Sequence, residues 1–398
     1  MISMLVQVSA YRGCRGDSRI IMPGKTRKPK SKPQRIRYAV VGLGHLAQVA
    51  VLPAFRNARR NSELVALLSG DEKKRREIGR RYKLLRTYSY DDYDRLLTSG
   101  TIDAIYVTLP NHLHRSYVER ALQAGVHVLC EKPLALREVD CRAMVRAAKQ
   151  NETQLMVAYR LHFDEANLRM IELAHSGRLG QIRIFHSLFT QQVKEGDTRL
   201  QARVGGGPLL DIGIYCINAA RYLFKSEPTE VFAAASRTTD ARFREVPEMF
   251  SVILRFPGER LATFTSSFGA ADRAEYDLVG TKGTGRLEKA YEYTEGMRAL
   301  ITTGNRTQTI RYPRRDQFGP QLLYFSDCIL HKRTPQPSGL EGTVDVAIIE
   351  ALHRSAARGR MVKIRIPTSP ARRPSLSQMA RCRPVSPPPL VRASSPTT

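Results

Sequence analysis

The sequence predicts an α/β protein: a doubly wound parallel sheet, then an α+β domain built on an open, mostly antiparallel sheet. Three observations predict it. From residue 35 to 158 short apolar runs alternate with helical stretches, the rhythm of strand–helix–strand units. After residue 160 strand-like runs follow one another with turn residues between them. Both ends of the chain are too polar and proline-punctuated to bury a core. The expected organisation is a basic, disordered extension over 1–34, a dinucleotide-type domain over 35–158, a substrate and oligomerisation domain over 159–365, and a disordered Pro/Ser-rich tail over 366–398.

The elements follow in order. Ile36–Val41 is a β-rich run entering a glycine turn, and Ala47–Phe55 is helical. Leu64–Leu68 is a strand, Asp71–Tyr82 a charged amphipathic helix, and Tyr90–Leu97 a short helix. Ile102–Leu109 reads as the fourth strand and stops at Pro110-Asn111. Leu113–Ala124 is helical and ends at Gly125, a C-cap residue. Val126–Cys130 is the fifth strand, a helix runs to about Lys149, and Thr153–Ala158 is the sixth strand. A helix over Glu165–Ser176 opens the second domain, with strands at 181–190, 229–237, 248–256, 260–268 and 274–280. Phe256-Pro257-Gly258-Glu259-Arg260 makes a hairpin turn, and helices near Gln317–Leu330 and Gly342–Ala357 close the fold.

Of the formal net charge of +27, much sits at the two ends. Residues 12–37 hold ten Lys or Arg against Asp17 alone, and Arg354 to Thr398 hold ten with no acid. Lys and Arg can bind phosphates by counterion release. No aromatic-interleaved groove or helix-turn-helix pattern accompanies them, so solvated tails are expected rather than nucleic-acid arms. The six Cys form no C-x-x-C and no Cys/His cluster, which argues for a reducing compartment and against a zinc site. No run approaches the ~20 apolar residues of a membrane span. The opening Met1-Ile2-Ser3-Met4 lacks a basic lead and makes a poor export signal, so a cytoplasmic protein is expected; Met22 is an alternative start.

Three motifs carry chemistry. Gly42-Leu43-Gly44-His45-Leu46-Ala47 lies between a strand and a helix. There Gly42 permits the tight turn, Gly44 lets a pyrophosphate approach the backbone, and Ala47 allows close helix packing. The next strand ends Leu67-Leu68-Ser69-Gly70, followed by Asp71-Glu72-Lys73-Lys74-Arg75-Arg76. An acid at the strand end would repel a ribose 2′-phosphate, whereas a hydroxyl followed by four cations suits one, so NADP is favoured over NAD. Asn111 and His114 lie at the sheet's carboxyl edge, where they can reach the cofactor, although Asn111 is equally suited to cap a helix. In Glu131-Lys132-Pro133 the Lys can stabilise developing oxyanion charge, and Pro133 fits a cis peptide. In Gly205-Gly206-Gly207-Pro208-Leu209-Leu210-Asp211-Ile212-Gly213-Ile214-Tyr215, Asp211 and Tyr215 share a helix face. A Tyr, with an ordinary pKa near ~10, becomes a usable base beside Lys132. The glycine run also permits backbone to approach a ligand. The plainer alternative makes Asp211 a helix cap and Tyr215 a core residue.

These residues, with Cys130-Glu131-Lys132-Pro133 and Tyr159-Arg160-Leu161-His162, resemble the glucose–fructose oxidoreductase and myo-inositol dehydrogenase (Gfo/Idh/MocA) family from about Arg35 to Arg365. The glucose–fructose oxidoreductase branch is the most similar. The resemblance implies an N-terminal Rossmann domain and a C-terminal domain whose open sheet joins a homodimer or homotetramer. It implies Lys132, Asp211 and Tyr215 as catalytic residues, no metal, and a cofactor set of Gly42, Leu43, Gly44, His45, Leu46, Ser69, Gly70, Lys74, Leu109, Pro110, Asn111, His114, Glu131, Lys132 and Arg160. In that branch an exported arm helps retain the cofactor and a Trp precedes the glycine run. Here the first segment is shorter, basic and unlike that arm, the chain has no Trp, and Thr198-Arg199 takes the Trp region. The expected activity is dissociable, NADP-dependent hydride transfer at a hydroxyl-bearing carbon of a sugar or polyol. A dihydrodiol-type or other carbonyl reductase and a non-catalytic cofactor-binding regulator are the alternatives.

Overall fold

The computed structural model describes residues 34–236, 238–366, 375–377 and 379–393. The expectations for residues 1–33 lie outside it.

The first sheet is all parallel. Its strands are β1 (Ile36–Val41), β2 (Ser62–Leu68), β3 (Arg86–Tyr88), β4 (Ala104–Val107), β5 (His127–Glu131) and β6 (Leu155–Ala158). Their spatial order is β3-β2-β1-β4-β5-β6. The chain winds outward from β1 in both directions, which opens a crevice at the carboxyl ends of β1 and β4. Both faces are covered, so β4 and β6 are buried at every position and read as continuous apolar runs. The helices are α1 (Leu52–Ala58), α2 (Glu72–Arg81), α3 (Tyr93–Leu97), α4 (His114–Gln123) and α5 (Glu138–Gln150). β3, which the sequence reading leaves unplaced, has three residues, two of them exposed. A π-type turn at Ala47–Val51 precedes α1, where Pro53 lacks the N–H an ordinary helix would use.

The second part holds α6 (Glu165–His175), α7 (Ile214–Phe224), α8 (Phe318–Leu330) and α9 (Gly339–Arg358). Its strands are β7 (Ile182–Thr190), β8 (Glu230–Ser236), β9 (Met249–Phe256), β10 (Arg260–Ser267), β11 (Arg273–Gly280), β12 (Gly283–Glu288), β13 (Met297–Thr303), β14 (Arg306–Tyr312) and β15 (Val362–Lys363). They form a nine-stranded sheet ordered β14-β13-β12-β11-β7-β10-β9-β8-β15. Only the β7–β10 pair is parallel; the predicted hairpin joins β9 to β10. One face packs on α6, α7 and α9, and the other stays open. There Leu261 pairs with Ile184, and Ile253 lies opposite Thr263; these three apolar residues are 38–45% exposed.

The tail departs from expectation. The described part of 375–393 is not loose chain: Cys382 and Val391 are buried in the core beneath β1 and α1. The backbone amide of Asp316 donates to the Cys382 carbonyl (3.3 Å), and the Asn57 side-chain amide to that of Arg383 (2.9 Å). Local composition marks this segment as unable to fold by itself; what seats it are partners distant in sequence. All five described cysteines are buried thiols. Among the described residues no helix is long and apolar enough to cross a membrane, and no acidic, His or Cys group is arranged to hold a metal.

Candidate active site

The glycine turn closes β1. The Gly42 amide donates to the Leu68 carbonyl (2.9 Å), and the Thr108 hydroxyl donates to the Gly42 carbonyl (2.7 Å). With φ at +95° and the Thr108 carbonyl 2.8 Å from any added Cβ, position 42 accepts glycine alone. A Cβ on Gly44 would meet nothing within 4 Å, so this side of the turn faces open space. Leu43 points into the core, leaving its backbone at the turn, while His45 and Leu46 are half-buried. Burial and then the Arg199 charge lower the His45 pKa, so the second domain's Arg199 is felt across the crevice.

At the end of β2, Ser69 is buried and its hydroxyl accepts from the Asp71 amide (3.2 Å), while Gly70 packs on the Tyr90 ring. Asp71 caps α2, accepting from the Lys74 amide at 3.0 Å. Asp71, the first acid after the end of β2, is thus engaged by its own helix.

Lys132 stands between the domains, on the cis Lys132–Pro133 turn after β5. Its Nζ donates to both the carboxylate and the carbonyl of Asp211, each at 2.8 Å, and lies 5.0 Å from the centre of the Tyr215 ring. Asp211 sits in a π-type turn, Leu209–Gly213, that leads into α7. It makes no side-chain cap, so the capping alternative fails. The Arg199 guanidinium donates to its other carboxylate oxygen at 3.1 Å. Burial would raise the Asp211 pKa, but Lys132 and Arg199 outweigh it and hold it well below the ordinary carboxylate range. Burial likewise opposes the Lys132 charge, and Asp211 together with Tyr215 and Glu131 more than offsets it, so the ammonium is held protonated.

Tyr215 is buried between the Lys132 ammonium and the Arg160 guanidinium, 5.1 Å from its ring centre. Arg160 is fixed by Gln317 Oε1 (2.7 Å) and the Tyr291 carbonyl (2.5 Å), and also stacks on Tyr293. Glu131 accepts from the Tyr106 hydroxyl (2.9 Å), and burial raises its pKa despite Lys132 beside it.

Other expected residues do different work. His114, expected at the cofactor, is fully buried, with one ring nitrogen 2.9 Å from the Pro133 carbonyl and the other 2.9 Å from that of Leu109. A neutral ring can donate to only one of them, and burial lowers its pKa. It ties the β4 loop to the Lys132 turn. Asn111 donates to the Gly205 carbonyl (3.0 Å) rather than capping α4. Leu109 is buried against Gly42, Pro110 is exposed, and Lys74 is half-buried. In the glycine run, a Cβ on Gly206 would meet the Arg199 carbonyl at 2.3 Å. The close approach at Gly206 is to the chain's own loop. In Tyr159-Arg160-Leu161-His162 the outer residues are structural: the Tyr159 hydroxyl donates to Asp345 (2.5 Å), and His162 pairs with Asn218 (2.9 Å).

The sequence reading gave Arg199 no role, because its partner Asp211 lies 12 residues on, across the glycine run. Tyr106, Tyr293 and Gln48 were missed too. Gln48 alone left a trace, a polar residue within the apolar stretch after the glycine turn.

A glycine cradle at the carboxyl edge of a 3-2-1-4-5-6 sheet, facing a Lys–Asp–Tyr cluster, defines a dinucleotide-dependent oxidoreductase. Residues 36–159 match the family model for an oxidoreductase family with an NAD-binding Rossmann fold, and 167–286 match the GFO/IDH/MocA C-terminal domain. An uncharacterized oxidoreductase of Rhizobium meliloti is 33% identical, over 81% of this chain and 98% of its own. The D-xylose 1-dehydrogenase [NADP(+)] of Haloarcula marismortui is 27% identical over 83% of this chain and 93% of its own. The crystal structure of an aldose-aldose oxidoreductase from Caulobacter crescentus, complexed with glycerol, superposes with a TM-score of 0.80 at 36% identity, over 83% of this chain and all of that one. The chain belongs to the Gfo/Idh/MocA oxidoreductase family.

Proposed function

We propose that the protein is an NADP-dependent oxidoreductase acting on the hydroxyl-bearing carbon of a sugar, C1 of an aldose in the first instance. The observation that carries this reading is Lys132, locked as a cation on Asp211 and set 5.0 Å from the Tyr215 ring at the mouth of the dinucleotide crevice. The open space at Gly44, the engaged Asp71 and the cations of α2 fit a 2′-phosphorylated dinucleotide. When bound, the nicotinamide ring accepts or returns the hydride at its C4. Tyr215 takes the proton of the substrate hydroxyl as that carbon is oxidised, and returns it in reduction. Lys132 donates to the same oxygen and stabilises its negative charge. Asp211 has both carboxylate oxygens on cations, so it positions Lys132 rather than the sugar; Arg199 steadies it. Arg160 fixes the far side of the Tyr215 ring.

The test is reduction of NADP+ and NAD+ followed at 340 nm across single pentoses and hexoses. Turnover with an aldose and preference for NADP+ are expected; tight coenzyme binding without turnover of any sugar or polyol would leave a regulator. The sheet face bearing Ile184, Ile253 and Leu261 supports a homodimer or homotetramer built across it. Ile253→Lys should lower the mass measured by light scattering, and an unchanged mass would remove that face as the contact. The buried thiols are in keeping with a cytoplasmic setting.

A further inference from the structure

We infer that the segment 379–393 is part of the coenzyme site and that Arg392 supplies a cation for the adenosine 2′-phosphate; this rests on the NADP reading above. The segment is anchored on the phosphate cradle itself. Gln48 donates from Nε2 to the Val391 carbonyl (2.9 Å) and accepts from the Val391 amide at Oε1 (2.7 Å). The same Nε2 donates to the Leu43 carbonyl inside the glycine turn (3.0 Å). Gln48 is 1% exposed and Val391 4%, so this pairing is buried and fixes the register of the residue that follows. One turn away, Arg81 donates to the Pro389 carbonyl at 2.9 Å.

The residue that follows is Arg392. It borders a cavity of about 590 Å³ beyond the end of β2, together with Gly70, Asp71, Glu72, Lys73 and Arg76. This is where the adenosine ribose lies in a sheet of this winding. Without Arg392 the wall has two acids and two cations and is formally neutral; with it the wall is positive. Arg392 Nη1 is 3.8 Å from Asp71 Oδ2, while the other oxygen of Asp71 is engaged as the α2 cap. The tail therefore offsets the charge of Asp71, which would repel a 2′-phosphate, and presents a planar donor suited to phosphate oxygens. Its side chain is 61% exposed, so it is free to turn from Asp71 to a phosphate, and replacing it should not unfold the protein.

The experiment is calorimetric titration of the full chain and its Arg392→Glu and Arg392→Lys variants with NADP+ and with NAD+. Arg392→Glu should weaken NADP+ binding by about tenfold or more and change NAD+ binding less than about twofold. Arg392→Lys should keep most of the NADP+ affinity. The loss should shrink at high salt, as an exposed charge contact is screened. Equal NADP+ affinity in wild type and Arg392→Glu overturns the inference and leaves the function standing. An equal loss for both coenzymes overturns the 2′-phosphate assignment. Wild type that binds neither coenzyme overturns the function and the inference together.

Discussion

One stretch of helix carries two ion clusters, each containing an Asp–Arg pair, and puts them to opposite use. At its beginning, Asp211 meets Lys132 and Arg199, with side chains 24%, 11% and 18% exposed. Toward its end, Arg221 meets Asp345 and Glu341, which are 0%, 0% and 1% exposed. The inner cluster is densely paired: Asp345 also accepts from Tyr159 and Asn218, and Arg221 also pairs with Glu227. It joins α7 to α9 and to the residue after β6, and nothing in it can turn toward a ligand. The outer cluster borders the crevice, and its Lys132 lies beside the Tyr215 ring. Charge type does not separate the functional site from the structural one. Access to the crevice does, together with what the cation has left to donate to.

That comparison can be broken experimentally. Lys132→Met should lower kcat/KM by about 10³-fold or more while coenzyme affinity stays within a few-fold, since it removes the donor at the reacting oxygen. Full activity in that variant would sink the mechanism. Asp345→Ala should do the reverse, destabilising the fold by about 3–5 kcal/mol because Arg221 stays buried with a partner missing. Urea unfolding would read the loss, and the folded fraction should keep its kcat/KM. Arg199→Leu should fall between, with kcat/KM down about tenfold and a small change in unfolding midpoint, as its charge-assisted bonds to the partly exposed carboxylates of Asp211 and Asp197 are lost. A midpoint shift as large as that of Asp345→Ala would mean Arg199 belongs with the structural cluster.

A finer distinction comes from pH. Asp211 is held below its ordinary range in the folded state, so its contribution to stability is complete above the unfolded value near ~3.9. That contribution is lost as pH falls through the folded value. Wild type should therefore lose stability more steeply than Asp211→Asn in the acid limb below about pH 4, and the two curves should run parallel above it. Parallel curves throughout would show that Lys132 and Arg199 do not hold the carboxylate as described.

What could be read from sequence was local. The strand–helix rhythm, the glycine turn, the cis-compatible Lys132-Pro133 and the four-residue spacing of Asp211 and Tyr215 each depend on near neighbours, and the structure has them in place. β3 escaped because it is three residues long, and β12 to β14 because their alternation is short and interrupted. His114 looked like a ligand residue because its place at the sheet edge is visible in sequence, while the two carbonyls that enclose it are not. Arg199, Gln48 and Val391 took their roles from partners that only the folded chain brings near.

The wide turn at Leu209–Gly213 sets the angular phase of everything after it. Each helical residue rotates its side chain by about 100°, so one residue more or less in that turn swings the rest of the helix around by that angle. Asp211 lies inside the turn and Arg221 beyond it, one answering to the crevice and the other to the core. A single-residue deletion between Asp211 and Ile214 would let Asp211 keep its direction, or Tyr215 and Arg221 keep theirs, but not both. The turn works as a timing mark between catalysis and folding, and length changes at that point should be far less tolerated than substitutions.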